Sequence, residues 1–233
     1  RRQRQMCIRD RGFANVICAE GSAAMDKGVA ICMDCRHHSM EFARAAAEVC
    51  AANGIHVRIF ESLRPTPELS FAVRHYGCQA GINITASHNP KEYNGYKVYW
   101  SDGAQLPPQH ADAIARELEK IDIFTGVKTM PFDEAKAAGH IELMGEETDN
   151  AFMENVMAMV NDRECVAKVA DTFHVVYTPF HGCGWKLVPQ ALRDLGVKHL
   201  HCVPEQMVLD GSFPTVVSPN PENPEGFYLA IAL

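Results

Sequence analysis

Short apolar runs alternate with stretches of helical period. Residues 29–34 (VAICMD) read as a buried parallel strand. Ser39 offers an N-cap and Glu41 a first-turn charge, and Phe42, Ala43, Ala46, Ala47, Val49 and Cys50 recur at helical spacing until Asn53-Gly54 closes the helix. Residues 55–61 (IHVRIFE) form the next strand, which completes a β-α-β unit with a right-handed crossover. Thr66-Pro67 then opens a helix that ends at Gly77, followed by a strand at 81–85 (GINIT) and a short one at 98–100. Pro107-Pro108 opens a charged amphipathic helix to about residue 122. Residues 148–160 read as another, with Phe152, Val156, Met159 and Val160 on its apolar stripe. Phe152 and Met159 are therefore expected in the core.

Residues 161–172 are mostly polar and precede a second β-α-β unit. It consists of a strand at 173–178 (FHVVYT), a glycine turn, a helix over 185–195 and a strand over 199–203. A proline-rich stretch follows over 204–226, then the start of a helix. The pattern predicts an α/β fold, a mixed, mostly parallel sheet sandwiched by helices. One full domain spans 12–161, and part of a second similar domain spans 162–233. About 60 residues with two strands cannot close a core alone, so the chain is expected to be a fragment.

Charge changes the picture at one end. The 233 residues hold 22 Lys and Arg against 29 Asp and Glu, a formal charge of -7. Residues 1–11 (RRQRQMCIRDR) alone carry +4 and lack a clear period, so they are expected to be a non-native leader, such as the translation of adaptor DNA. The acidic remainder argues against a nucleic-acid binder. No apolar run reaches the roughly 18 residues a spanning helix needs, so no membrane partner is expected. The 9 cysteines are odd in number and follow no disulfide framework, which suits reduced thiols in a cytoplasmic protein.

Candidate chemistry concentrates at the end of the GINIT strand. Thr85-Ala86-Ser87-His88-Asn89-Pro90, followed by residues 91–97 (KEYNGYK), offers a hydroxyl, an imidazole, an amide and two lysines where open α/β sheets bind ligands. A polar turn is the plain alternative, since Asn-Pro and Asn-Gly are ordinary turn signals. Ser87 lacks the flanking glycines of a nucleophile elbow. A phosphoryl-carrying serine fits better, because phosphoryl transfer needs positioning and charge neutralisation more than a triad.

Other clusters are weaker. Cys32-x-x-Cys35 has no second ligand pair at zinc-finger spacing. His199-x-His201-Cys202 could form a metal cluster or simply lie on a half-exposed strand. His37-His38 reads as a helix start. His181 sits in a glycine turn that could hold an anion at a helix N-terminus. A turn packing the second domain on the first is the alternative.

TASHNP with YNGYKVY resembles the phosphoserine loop of the alpha-D-phosphohexomutases, the phosphoglucomutase/phosphomannomutase family. MDCRHHS, LRPTPELSFAVRHYG, DGAQLPP, TPFHGCG and VPEQMVLDGSFPTVVSPNPENPEG agree with the same family, so the likeness runs from Gly12 to Leu233. The resemblance implies an enzyme that interconverts sugar 1-phosphate and sugar 6-phosphate, most often of glucose, through a bisphosphorylated sugar; phosphopentomutase and phosphomannomutase activity, or a non-catalytic sugar-phosphate-binding module, are alternatives. It implies that Ser87 is the phosphoserine and that its phosphate ligates Mg2+, with glucose 1,6-bisphosphate as activator. His88 and Lys97 would stabilise charge or move protons at the transferring group, and Asn89 would shape the loop. Asp34 and Arg36 match the family's D-x-R; the resemblance places Asn89 and Arg36 among the substrate- and phosphate-binding residues, Arg36 in a supporting part, with a structural role the alternative for an arginine at a helix start. The family's D-x-D-x-D-R metal loop does not occur here and is expected beyond Leu233. Its glycine-rich arginine loop is expected before Gly12. This chain alone is therefore expected to carry the phosphoserine without completing a cycle.

Overall fold

The computed structural model describes residues 2–233 and divides into two compact units. Unit 1 takes residues up to Met33, then His38–Thr85 and Gly95–Gly145. Its elements are α1 (Arg2–Ala19), α2 (Ser22–Lys27), β1 (Val29–Met33), α3 (Ser39–Ala52), β2 (Val57–Phe60), α4 (Thr66–His75), β3 (Ala80–Ile84), β4 (Tyr96–Trp100), α5 (Pro108–Leu118), α6 (Phe132–Ala137) and β5 (Ile141–Met144). The five strands are ordered β4-β3-β1-β2-β5, and only β4 runs antiparallel to its neighbour.

Alternation along the strands builds two cores. Val29, Ile31 and Met33 of β1 face α1 and α3, where they meet Phe13, Ile17, Ala43, Ala46 and Ala47. Ala30 and Cys32 face the other way, against Leu69, Ala72 and Val73 of α4. Every residue of β1 and β3 is buried, as a parallel strand covered on both faces requires. The expected sandwich of helices about a mostly parallel sheet is what forms.

Unit 2 takes Asp34–His37, Ala86–Asn94 and Glu146–Leu233. It contains α7 (Glu146–Ala158), α8 (Arg163–Val169), β6 (His174–Tyr177), α9 (Leu187–Asp194), β7 (His199–Cys202) and α10 (Tyr228–Ala232), with short 3-10 turns at Cys183–Trp185, Pro204–Gln206 and Pro224–Phe227. Strands β6 and β7 pair in parallel. The unit is pinned by buried polar groups as well as apolar ones. Gln206, fully buried, donates to Thr215 Oγ1 and to the carbonyl of Gly226, and accepts from Thr178 Oγ1.

Several expectations need correction. Residues 1–11 show no clear helical or strand period in the sequence, and Arg1 lies outside the described residues. From Arg2 onward the chain is helical, and Met6, Asp10, Phe13, Ala14 and Ile17 are buried at helical spacing. A carboxylate at one position of that stripe hid its period. The division between units falls after Gly145 rather than at 161/162, so α7 belongs to unit 2. Met159 lies outside the core, with 70% of its surface exposed. Helix α7 instead buries Thr148, Asp149 and Met153, because Asp149 is drawn inward by Lys186 at 2.5 Å. Ser39 is not the cap but the first residue of α3, and His38 holds the cap position in a left-handed conformation. Helices α2, α6 and α8 and strand β5 had no reading in the sequence.

Candidate active site

The loop with the candidate serine is built from two chain segments of unit 2. β1 and β3 are hydrogen-bonded neighbours, and residues 34–37 and 86–94 continue from their carboxyl ends. In unit 1, the Thr85 amide donates to the Gly95 carbonyl at 3.1 Å and closes the base of the loop. Within it, the Asn89 amide donates to Ala86 and the Tyr93 amide to Pro90. These short turns realise the Asn-Pro and Asn-Gly signals.

Ser87 is exposed and has φ +58°, the left-handed region. A non-glycine residue there costs about 1–3 kcal/mol, and it persists only where its surroundings hold it. His88 Nδ1 lies 3.4 Å from Ser87 Oγ, outside the roughly 2.6–3.2 Å expected of a nucleophile and its base. The His88 carbonyl accepts from Ser218 Oγ at 3.0 Å. Asn89 is exposed and contributes through its backbone. Lys97 lies in unit 1, half-buried on β4 in register with Asn83. The structure thus brings together Ser87, His88, Asn89 and Arg36 in one unit and places Lys97 in the other.

Arg36 departs most from expectation. Its side chain is 1% exposed, and it lies under the loop. Nη1 donates to the carbonyls of Pro90 at 2.9 Å and Tyr93 at 3.0 Å. Nη2 donates to those of Ser87 at 2.9 Å and Asn89 at 2.7 Å. Nε donates to Asp34 Oδ2 at 3.2 Å, and Asp34 Oδ1 accepts from the Arg36 amide. A guanidinium has five N–H donors, and all of them are engaged. None is left over for the phosphate contact expected of Arg36.

A third segment, unread as a part of the site, covers this arginine. The Phe213 ring lies over its guanidinium, 5.2 Å from centroid to Cζ. Ser212 Oγ meets His37 Nε2 at 2.9 Å. A Cβ on Gly211 would stand 2.6 Å from the Cys35 carbonyl oxygen and 2.8 Å from the His37 nitrogen, so only glycine lets the two backbones approach. The Asp210 carboxylate accepts from the Ser212 amide, and that bond chiefly holds its pKa below the usual value. The sequence shows this segment only as part of a proline-rich stretch, with no sign of its target.

The decoys resolve into structure. Cys32 and Cys35 are free thiols. Cys32 is buried and its Sγ reaches the Arg64 carbonyl. Burial pushes the Cys35 thiol up to about 12, aided by Asp34, which makes it a poor nucleophile. His181 is fully buried at φ +64°; Nδ1 donates to the Val208 carbonyl at 2.7 Å and Nε2 pairs with Thr215 Oγ1 at 2.8 Å. Its ring is committed, which removes it as an anion ligand. His174 stacks on His199 at 4.4 Å and pairs with His201 at 3.1 Å. Among the described residues no group of three His, Cys, Asp or Glu is arranged to hold a metal ion. Ser87 could present phosphate oxygens to Mg2+, but the carboxylate ligands such an ion needs are not gathered here, so these residues do not by themselves make its site.

Two family models cover most of the chain. Residues 10–123 match the phosphoglucomutase/phosphomannomutase alpha/beta/alpha domain I, and residues 150–233 match domain II. The chain belongs to the phosphoglucomutase/phosphomannomutase family. A phosphoglucomutase of Staphylococcus saprophyticus is 36% identical over 204 residues, which is 88% of this chain and 36% of that protein. One from Staphylococcus aureus strain MRSA252 is 36% identical over 205 residues, with the same two shares. The chain thus spans about a third of the length of these relatives. A Thermus thermophilus structure, provisionally described as a phosphomannomutase, superposes with a TM-score of 0.78 at 24% identity, over 97% of this chain and 46% of that one. A Burkholderia thailandensis phosphoglucomutase/phosphomannomutase family protein gives 0.72 at 21% identity, over 99% and 45%. These two show the fold alone.

Proposed function

We propose that this chain is the phosphoserine-bearing part of a phosphohexomutase that interconverts glucose 1-phosphate and glucose 6-phosphate. The observation that carries the reading is Ser87 itself. It is exposed, left-handed and anchored through its own carbonyl, in a chain of this family.

In the forward half-reaction the bond from Ser87 Oγ to phosphorus breaks, and the free hydroxyl oxygen of the sugar monophosphate forms the new one. The hydroxyl proton leaves to a neighbouring base, and Ser87 Oγ ends protonated. The product is a bisphosphorylated sugar. In the return half-reaction the sugar's other phosphorus–oxygen bond breaks, Ser87 Oγ gives its proton to a neighbouring base and takes that phosphoryl group, and the released sugar oxygen takes a proton. His88 and Lys97 are the proposed charge-stabilising and proton-moving groups. Asn89 shapes the loop. Mg2+, when bound, would offset the negative charge of the transferring phosphoryl group. Glucose 1,6-bisphosphate would prime Ser87. Among the described residues no helix is long and apolar enough to cross a membrane, and cytoplasmic sugar phosphate is the proposed substrate pool.

The test is the full-length protein mixed with glucose 1-phosphate, Mg2+ and catalytic glucose 1,6-bisphosphate, with glucose 6-phosphate as the readout. Ser87→Ala should abolish turnover. Full activity in that variant sinks the proposal. Mannose and pentose 1-phosphates in the same assay decide the sugar.

A further inference from the structure

We propose that Arg36 is the positioning residue of the serine loop: it holds Ser87 in its left-handed conformation and so aims Oγ, and it does not bind the sugar phosphate. The inference rests on Ser87 being the phosphoryl carrier.

Four observations converge. The loop turns the carbonyls of Ser87, Asn89, Pro90 and Tyr93 onto one buried guanidinium. The first of these belongs to the strained residue, so Arg36 acts directly on the peptide whose conformation is unfavourable. Asp34 orients the cation from the opposite edge through Nε. Phe213 covers its face, and Gly211 lets the covering segment come down onto the backbone of residues 35–37. A planar fork with five fixed donors can serve four carbonyls and a carboxylate together; an ammonium with three donors cannot.

This distinguishes positioning from phosphate binding in kinetic terms. A phosphate-binding arginine changed to Lys keeps a cation, so KM for glucose 1-phosphate rises while kcat is largely retained. A positioning arginine changed to Lys releases the loop, so kcat falls at constant KM. A displacement of the reacting atom by about 1 Å can cost about 100-fold in rate.

The experiment uses the full-length protein, and first measures Ser87 phosphorylation by glucose 1,6-bisphosphate in the wild type by intact mass. Absence of that modification removes the carrier reading itself, and this inference with it, before any variant is made. With the wild type phosphorylated, Arg36→Lys should lower kcat and the Ser87 phosphorylation rate together by about 100-fold, with KM within about twofold. Wild-type rates in Arg36→Lys, or a raised KM with kcat kept, overturn the inference. Phe213→Leu, which removes only the cover, guards against an Arg36→Lys protein that fails to fold. It should lower kcat by about 10-fold at constant KM, and wild-type kinetics in a folded Phe213→Leu protein overturn the inference.

Discussion

The Ser87 carbonyl oxygen lies 2.9 Å from Arg36 Nη2, across 51 positions of sequence. The acceptor belongs to a residue at φ +58°, and the donor to a side chain that is 1% exposed. Stability and the aim of the serine are therefore set by the same contact.

That strain is measurable at the serine. Ser87→Ala keeps a Cβ at φ +58°, whereas Ser87→Gly removes the steric conflict. Neither variant can carry a phosphoryl group. The glycine variant should nevertheless be the more stable by about 1 kcal/mol, since relief of about 1–2 kcal/mol exceeds the roughly 0.4–1 kcal/mol of glycine's extra unfolded-state entropy. Urea unfolding of the two proteins side by side checks it; a glycine variant less stable than the alanine variant by about 0.4–1 kcal/mol would mean that Ser87 is not strained.

Gly211 tests the cover over Arg36 from the other side. In Gly211→Ala the new Cβ meets backbone atoms of Cys35 and His37 at 2.6 and 2.8 Å, and neither can swing away. The segment must lift, with a loss of about 1–3 kcal/mol in stability. A wild-type unfolding midpoint for Gly211→Ala would show that the two backbones do not press together.

Lys186 and Asp149 are the third case. Asp149 Oδ2 is 2.5 Å from Lys186 Nζ, and the aspartate side chain is 3% exposed while the lysine is 39% exposed. Removing the lysine leaves a buried charge short of its counter-ion. Lys186→Met should cost about 3 kcal/mol, toward the lower end for breaking a buried pair because one partner is half in water. Asp149→Asn in that background should recover part of the loss. A double-mutant cycle with no coupling between the two positions would contradict the pairing.

The parts legible in the sequence were those where one period governs the segment. VAICM and GINI are buried on both faces and read as strands because nothing competes with their apolar run. TASHNP was legible as chemistry because polar side chains cluster where a strand ends. The reading failed where a polar residue is buried by a distant partner. Asp149 faces inward on account of Lys186, which put Met153 rather than Met159 in the core. Arg36 looked like a phosphate ligand because four backbone carbonyls 51 to 57 positions away leave no mark in a local pattern. The cover from Gly211 to Ser218 lies in a proline-rich stretch with no period at all.

Asp10 gives a pH prediction with a definite sign. It lies in α1, fully buried, and burial raises its pKa from 3.8 to about 8, with the Tyr96 hydroxyl and Arg9 opposing the shift. The folded chain therefore holds a proton on Asp10 over a range in which the unfolded chain has lost it. Below pH 3.8 the carboxyl is neutral in both states and its contribution is fully present. From there to about pH 8 the folded state binds more protons than the unfolded state, and stability falls as pH rises. The slope from this one group is at most about 1.4 kcal/mol per pH unit. Above pH 8 the group is ionised in both states and the slope vanishes. Asp10→Asn is nearly isosteric and cannot ionise, so it should lose this dependence and gain on the wild type steadily between pH 5 and pH 8. Urea midpoints at pH 5, 6.5 and 8 for the two proteins decide the matter. Parallel curves would place Asp10 in water, and with it the amino-terminal half of α1 outside the core.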